Sequence, residues 1–122
     1  MTELNPLEFD LREALLRRLN LADDASDACV AYDRLRAEIA SQPSDAQIEA
    51  AAAHLNAYET ELAHPLLGAL ILVAEGGAPS PSLAASARSL GRMIEDEHAF
   101  WQTELDAVFE FWTSDAPFAP AI

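Results

Sequence analysis

"HPLLGALILVAEGG", residues 64 to 77, is the greasiest stretch of the chain, and the way it is read decides the fold. No charged residue interrupts it between His64 and Glu75. At helical spacing Leu66, Ala69 and Val73 continue a stripe that begins at Ile48 and passes through Ala52, Leu55, Glu59 and Leu62. Alternating steps of three and four mark one helix face packed against a neighbour. On this reading a single helix starts behind the Ser44 and Gln47 capping box and runs to Glu75, where Gly76 and Gly77 stop it. "PSPS" then opens another helix, with Ser80 as N-cap and Pro81 behind it. Its stripe of Leu83, Ala87, Leu90, Ile94, then Glu97 or His98, Trp101, Leu105, Val108 and Trp112 carries it to about Thr113. The two helices, each of about 31 residues and roughly 45 Å long, predict an antiparallel hairpin.

The start of the chain is punctuated the same way. Asn5 as N-cap, Pro6 at the first helical position and Glu8 in a capping box predict a helix over about 6 to 20. Asp23 or Asp24 caps a second, which carries Ala28, Tyr32, Leu35 and Ile39 on one stripe before "SQPSDAQ" ends it. No stretch alternates polar and apolar residues at period two, so strands are not expected. The expected fold is therefore all-α: an antiparallel four-helix bundle-like domain over 1–113 with two short and two long helices, followed by a flexible Pro/Ala-rich tail over 114–122. The short helices reach only half of the long hairpin. Leu66, Leu67, Leu70, Leu72, Val73, Leu83 and Leu90 on the other half would form an apolar patch too large for a soluble monomer, which predicts a homodimer with two-fold symmetry.

With 122 residues and 51% apolar content, the chain suits one domain with its own core. Its formal charge is −14, from twenty-one acids against seven arginines and no lysine. Phosphate backbones and anionic lipid repel such a surface, so neither nucleic acid nor membrane is an expected partner; another protein with a basic surface is. The apolar runs fall well short of the roughly 20 residues that span a bilayer, and "MTELNPLEFD" lacks the cationic start of a signal peptide. A cytoplasmic protein is expected. Cys29 is the only cysteine, which rules out an intrachain disulfide.

Two tetrapeptides carry possible chemistry. "ELAH" at 61 to 64 and "EDEH" at 95 to 98 each set a glutamate three residues before a histidine, the spacing by which one helical turn offers both to one ion. Glu61, His64, Glu95 and His98 resemble half of the ferritin-like di-metal carboxylate pattern, in which two helices each give Glu-x-x-His and two others each give a Glu. The resemblance implies iron, with manganese or zinc as alternatives, and a ferroxidase-like oxidation; His54 and Glu97 are further candidate ligands. It departs from the pattern at the bridging acids, because Glu13 and Glu38 lie too far along their helices to reach. Pro65, without an amide hydrogen, is expected to kink the helix inside the first motif. The alternative is that the four residues make hydrogen bonds and ion pairs with Arg88 and Arg92.

Other chemistry is thin. Ser80, Ser82, Ser86 and Ser89 have no histidine close in sequence, and no glycine-rich phosphate loop follows a strand. Phe111 and Trp112 are adjacent, so one of them should face solvent, the tail or a partner, and Phe118 in the tail is a third candidate contact. Two functions follow. One is a non-catalytic protein-binding module, acting as an adaptor, chaperone, antagonist or regulator; the alternative is the metal-binding protein.

Overall fold

The computed structural model describes residues 2–74 and 77–113. The stop expected at Glu75 and Gly76, and the expected tail with Phe118, lie outside the described residues. The chain is of the all-α class, with six helices among the described residues: α1 (Pro6–Leu21), α2 (Ala25–Ala28), α3 (Tyr32–Ala37), α4 (Asp45–Glu61), α5 (Pro81–Ser89) and α6 (Glu97–Thr113). Between them lie two short strands, β1 (Val30–Ala31) and β2 (Ile71–Leu72), and a 3₁₀ turn over Leu67–Leu70; β1 divides the expected second helix into α2 and α3, so Ala28 and Tyr32 do not share one helical stripe.

The starts of three helices follow from their caps. Asn5 accepts from the Glu8 amide at the head of α1 while Glu8 accepts from the Asn5 amide, and Ser44 and Gln47 exchange the same pair of bonds at the head of α4. Ser80 caps α5 with Pro81 in the first turn.

Their ends overturn the two long helices. The third helix stops at Glu61 rather than Glu75, because residues 59 to 64 close a Schellman motif. The His64 amide bonds the Glu59 carbonyl at 2.9 Å, the Ala63 amide bonds the Thr60 carbonyl at 3.0 Å, and Ala63 turns left-handed with φ 60°. Pro65 thus follows a finished helix and kinks nothing; His64, the residue before it, is also the one whose α conformation proline disfavours. The fourth helix is broken in the same manner. Gly91, with φ 91°, ends α5 through bonds from its own amide to the Arg88 carbonyl and from the Arg92 amide to the Ala87 carbonyl, both 3.0 Å. The chain restarts at α6, where Asp96 Oδ1 accepts from the Ala99 amide at 3.1 Å.

Within the stretch expected to be helical, residues 66–72 form a buried irregular crossing. Its last two residues pair in parallel with β1, Val30 opposite Ile71 and Ala31 opposite Leu72. Strands were not expected because the period-two signal belongs to half-exposed strands, and these four residues are buried throughout. Gly68 sits where only a hydrogen fits: a methyl there would lie 2.8 Å from the Asn56 side-chain nitrogen. Asn56 is itself pinned, accepting from the Gly68 amide at 3.0 Å and donating to Ser86 Oγ at 2.9 Å.

The core gathers around this crossing. Leu11, Leu15 and Leu19 of α1, Ile48 and Leu55 of α4, Leu83 of α5 and Val108 of α6 close over Leu66, Leu67, Leu70 and Ile71. α4 packs against α1, α5 and the 3₁₀ turn, and α6 packs against α1, α2 and the same turn. The expected dimer contact therefore needs correction. Leu66, Leu67 and Leu70 have no exposed surface in a single chain, and Leu72 and Leu83 are buried too; Leu90 is partly covered and Val73 is half exposed. These residues were read as uncovered because the segment was placed at the tip of a straight hairpin. Folded back, it is covered by its own chain. No helix among the described residues is long and apolar enough to cross a membrane.

Candidate functional site

Two buried glutamates organise the turns that end α4 and α5. Glu59 is fully buried in the last turns of α4. It accepts from Arg12 Nε at 2.7 Å and from Arg12 Nη2 at 3.5 Å, and its Oε1 lies 2.9 Å from His64 Nδ1. In a Schellman motif the residues at these two positions usually make an apolar contact, and here a carboxylate and an imidazole take that place. Glu104 of α6 is buried as well. It accepts from the Leu66 amide at 2.8 Å and from Arg92 Nη2 at 2.5 Å, so one side chain ties both turns to α6. Trp101 adds a third tie, donating from Nε1 to the Ala69 carbonyl at 2.9 Å. Such carboxylates repay their dehydration only when their oxygens are bonded, which is the case at both.

Aromatic rings cover the first of these nodes. The Arg12 guanidinium lies 5.5 Å from the centre of the Tyr58 ring and 5.3 Å from that of Trp112. The His64 ring stands 4.8 Å from Phe111 and 5.2 Å from Trp112. Phe111 and Trp112 are thus both half-buried over the Arg12, Glu59 and His64 cluster, and the adjacent pair divides between neither core nor solvent outright. At the second node Arg92 lies 5.1 Å from the Phe100 ring.

The structure takes the two Glu-x-x-His motifs apart. Neither is a helical turn. Glu61 is the last residue of α4 and His64 lies beyond the left-handed Ala63, while Glu95 precedes the Asp96 cap and only His98 is in α6. Glu61 instead accepts from the Thr2 amide at 2.8 Å and from the Thr2 hydroxyl, and those bonds hold its carboxyl below the usual carboxylate range. His64 faces Glu59, not Glu61. His54 pairs with Glu8 at 2.7 Å, and Glu97 pairs with Arg88 at 2.7 Å. His98 is exposed, its ring 5.6 Å from Trp101. Among the described residues no group of three or more His, Cys, Asp or Glu side chains is placed to hold a metal ion.

Sequence reasoning missed Arg12 and Glu104, named Arg92 only as a partner for the motif residues rather than for Glu104, and used Glu59 only as a seam position. An acid in an otherwise apolar stripe was the available signal, since a charge there must be paired when buried. A further polar group joins the first residue of α3 to the head of α5: the Tyr32 hydroxyl lies 2.7 Å from Glu49 and 2.8 Å from Ser80 Oγ. Burial pushes this phenol up to about 12, so it is no proton acceptor at neutral pH. Burial likewise raises the Cys29 thiol to about 11. No protein family, curated protein or solved structure matches the chain.

Proposed function

We propose that the chain is a small acidic, non-catalytic protein-binding module that recruits a partner through a basic surface. One observation carries this reading. Of the seven arginines that oppose twenty-one acids, Arg12, Arg18, Arg36, Arg88 and Arg92 are each engaged by a carboxylate of the same chain. The cations are largely consumed internally, and the surplus of negative charge is left to face outward. A surface of that kind attracts basic proteins over a Debye length and repels nucleic acid and anionic lipid. The reading needs no second copy, because the leucines once assigned to a dimer are enclosed by one chain.

The test is electrostatic. Protein immobilised at low salt should retain a defined set of partners that is released as ionic strength passes a few tenths molar and is displaced by polylysine but not by polyglutamate. Partners that stay bound in about 1 M salt, where the screening length is about 3 Å, would overturn it. So would the absence of any specific partner.

A further inference from the structure

Met93 is 92% exposed, the barest of the large apolar side chains among the described residues, and it stands in the loop between the Gly91 turn and the Asp96 cap. Together with Ile94, Ala99, Phe100 and Thr103 it lines a groove of about 340 Å³, rimmed by Glu95 and Asp96. The loop is anchored at both ends, by Arg92 on the buried Glu104 and by Asp96 on the Ala99 amide of α6, so the groove belongs to a defined turn.

The charge around it selects an occupant. Arg88 and Arg92, the cations nearest in sequence, are taken up by Glu97 and Glu104. Glu95 is exposed and has no partner among the described residues. The result is an apolar floor beside uncompensated negative charge. A second copy is a poor fit, since it too carries −14 and would bring Glu95 against Glu95. The chain's own tail is no better, because residues 114 to 122 hold an aspartate and no cation. Anionic lipid is repelled by the same rim.

We propose that this groove seats a basic amphipathic segment of another protein, one apolar side chain packed against Met93 and Phe100 and a cation set over Glu95. The inference rests on the acidic-recruitment reading above and locates it.

The probe is a fluorescent peptide of alternating lysine and leucine, titrated at low salt into the full chain, with an equally long lysine and serine peptide as control. The chain has two methionines, so a methyl-labelled sample gives a resolved signal for Met93. The leucine peptide should shift that signal and bind about tenfold more tightly than the serine peptide, the gain expected for one buried apolar side chain. Met93→Ser, a change in an exposed loop, should abolish the difference, and Glu95→Gln should weaken both peptides. If the difference survives Met93→Ser and the methyl signal stays still, the groove is overturned while acidic recruitment stands. Failure of both peptides to bind at low salt overturns the two readings together. A Met93-dependent dimer in light scattering would overturn the proposal in favour of a second copy.

Discussion

At the scale of single residues, the two most informative positions are Glu59 and Ala63, both in the Schellman motif that ends α4. Glu59 is an ion without contact to water, held by Arg12 and His64. Glu59→Ala leaves that arginine and imidazole beside an emptied, apolar site, and should cost about 3 kcal/mol in denaturant unfolding, at the lower end of the range for breaking a buried pair because Arg12 is partly exposed. Ala63 adopts φ 60°, a conformation that costs an L-residue about 1 kcal/mol and glycine nothing. Ala63→Gly should therefore stabilise the protein, by somewhat less than 1 kcal/mol after the added freedom of the unfolded chain is subtracted, as a raised denaturant midpoint with unchanged slope. The sequence showed the proline after this turn and not the turn itself, because alanine is the strongest helix former and nothing local marks it as left-handed.

Among elements, the crossing over 66–72 is what the helices pack around, and it is where reading by periodicity failed. A buried run of Leu, Ile and Val has no polar face, so its spacing fits a buried helix and a buried strand alike. Trp101 and Glu104, both from α6, supply bonds that an isolated 3₁₀ turn lacks, and they are thirty or more residues away in sequence. The element reading has a direct consequence for mutation. Leu70→Asp puts a carboxylate at a fully buried position of the apolar core and should cost more than about 4 kcal/mol. Circular dichroism should show loss of the folded state. A folded, soluble variant with a changed oligomeric state would return this leucine to a subunit contact.

For the molecule as a whole, composition makes alkaline pH an unusually clean probe. The chain has no lysine, so few groups titrate between pH 9 and 12. The Cys29 thiol is raised from 9.0 to about 11 and the Tyr32 phenol from 10.0 to about 12, in both cases chiefly by burial. Both groups become charged on losing a proton, and burial opposes that charge in the folded state only. Below pH 9 both states keep their protons and the contribution is complete. As pH rises from there, the unfolded chain releases protons that the folded chain retains, and stability falls until the folded groups titrate at about 11 and about 12. The melting temperature should accordingly decline from pH 9 upward, and Cys29→Ala should flatten the first part of that decline. The same raised thiol predicts that Cys29 reacts with a disulfide reagent at pH 8 about a hundredfold more slowly in the folded protein than after denaturation.

What the sequence determined by itself is what short-range chemistry controls. The caps at Asn5, Ser44 and Ser80 were legible because an N-cap and its partner lie two or three residues apart, and the all-α class followed from them and from stripes such as that of α4. The charge of −14 was legible because it is a sum. Only the tertiary structure decided where α4 and the fourth helix break, that residues 66 to 72 are enclosed by their own chain, and that the glutamates of consequence are Glu59 and Glu104 rather than Glu61 and Glu95. Gly91 was a stop signal open to a stricter reading, whereas the break at Ala63 was not. The physical reason is common to all of these. A seven-residue spacing records that a residue is buried, and the identity of what buries it is settled by contacts such as Arg12 with Glu59 or Leu66 with Glu104, between groups 47 and 38 residues apart.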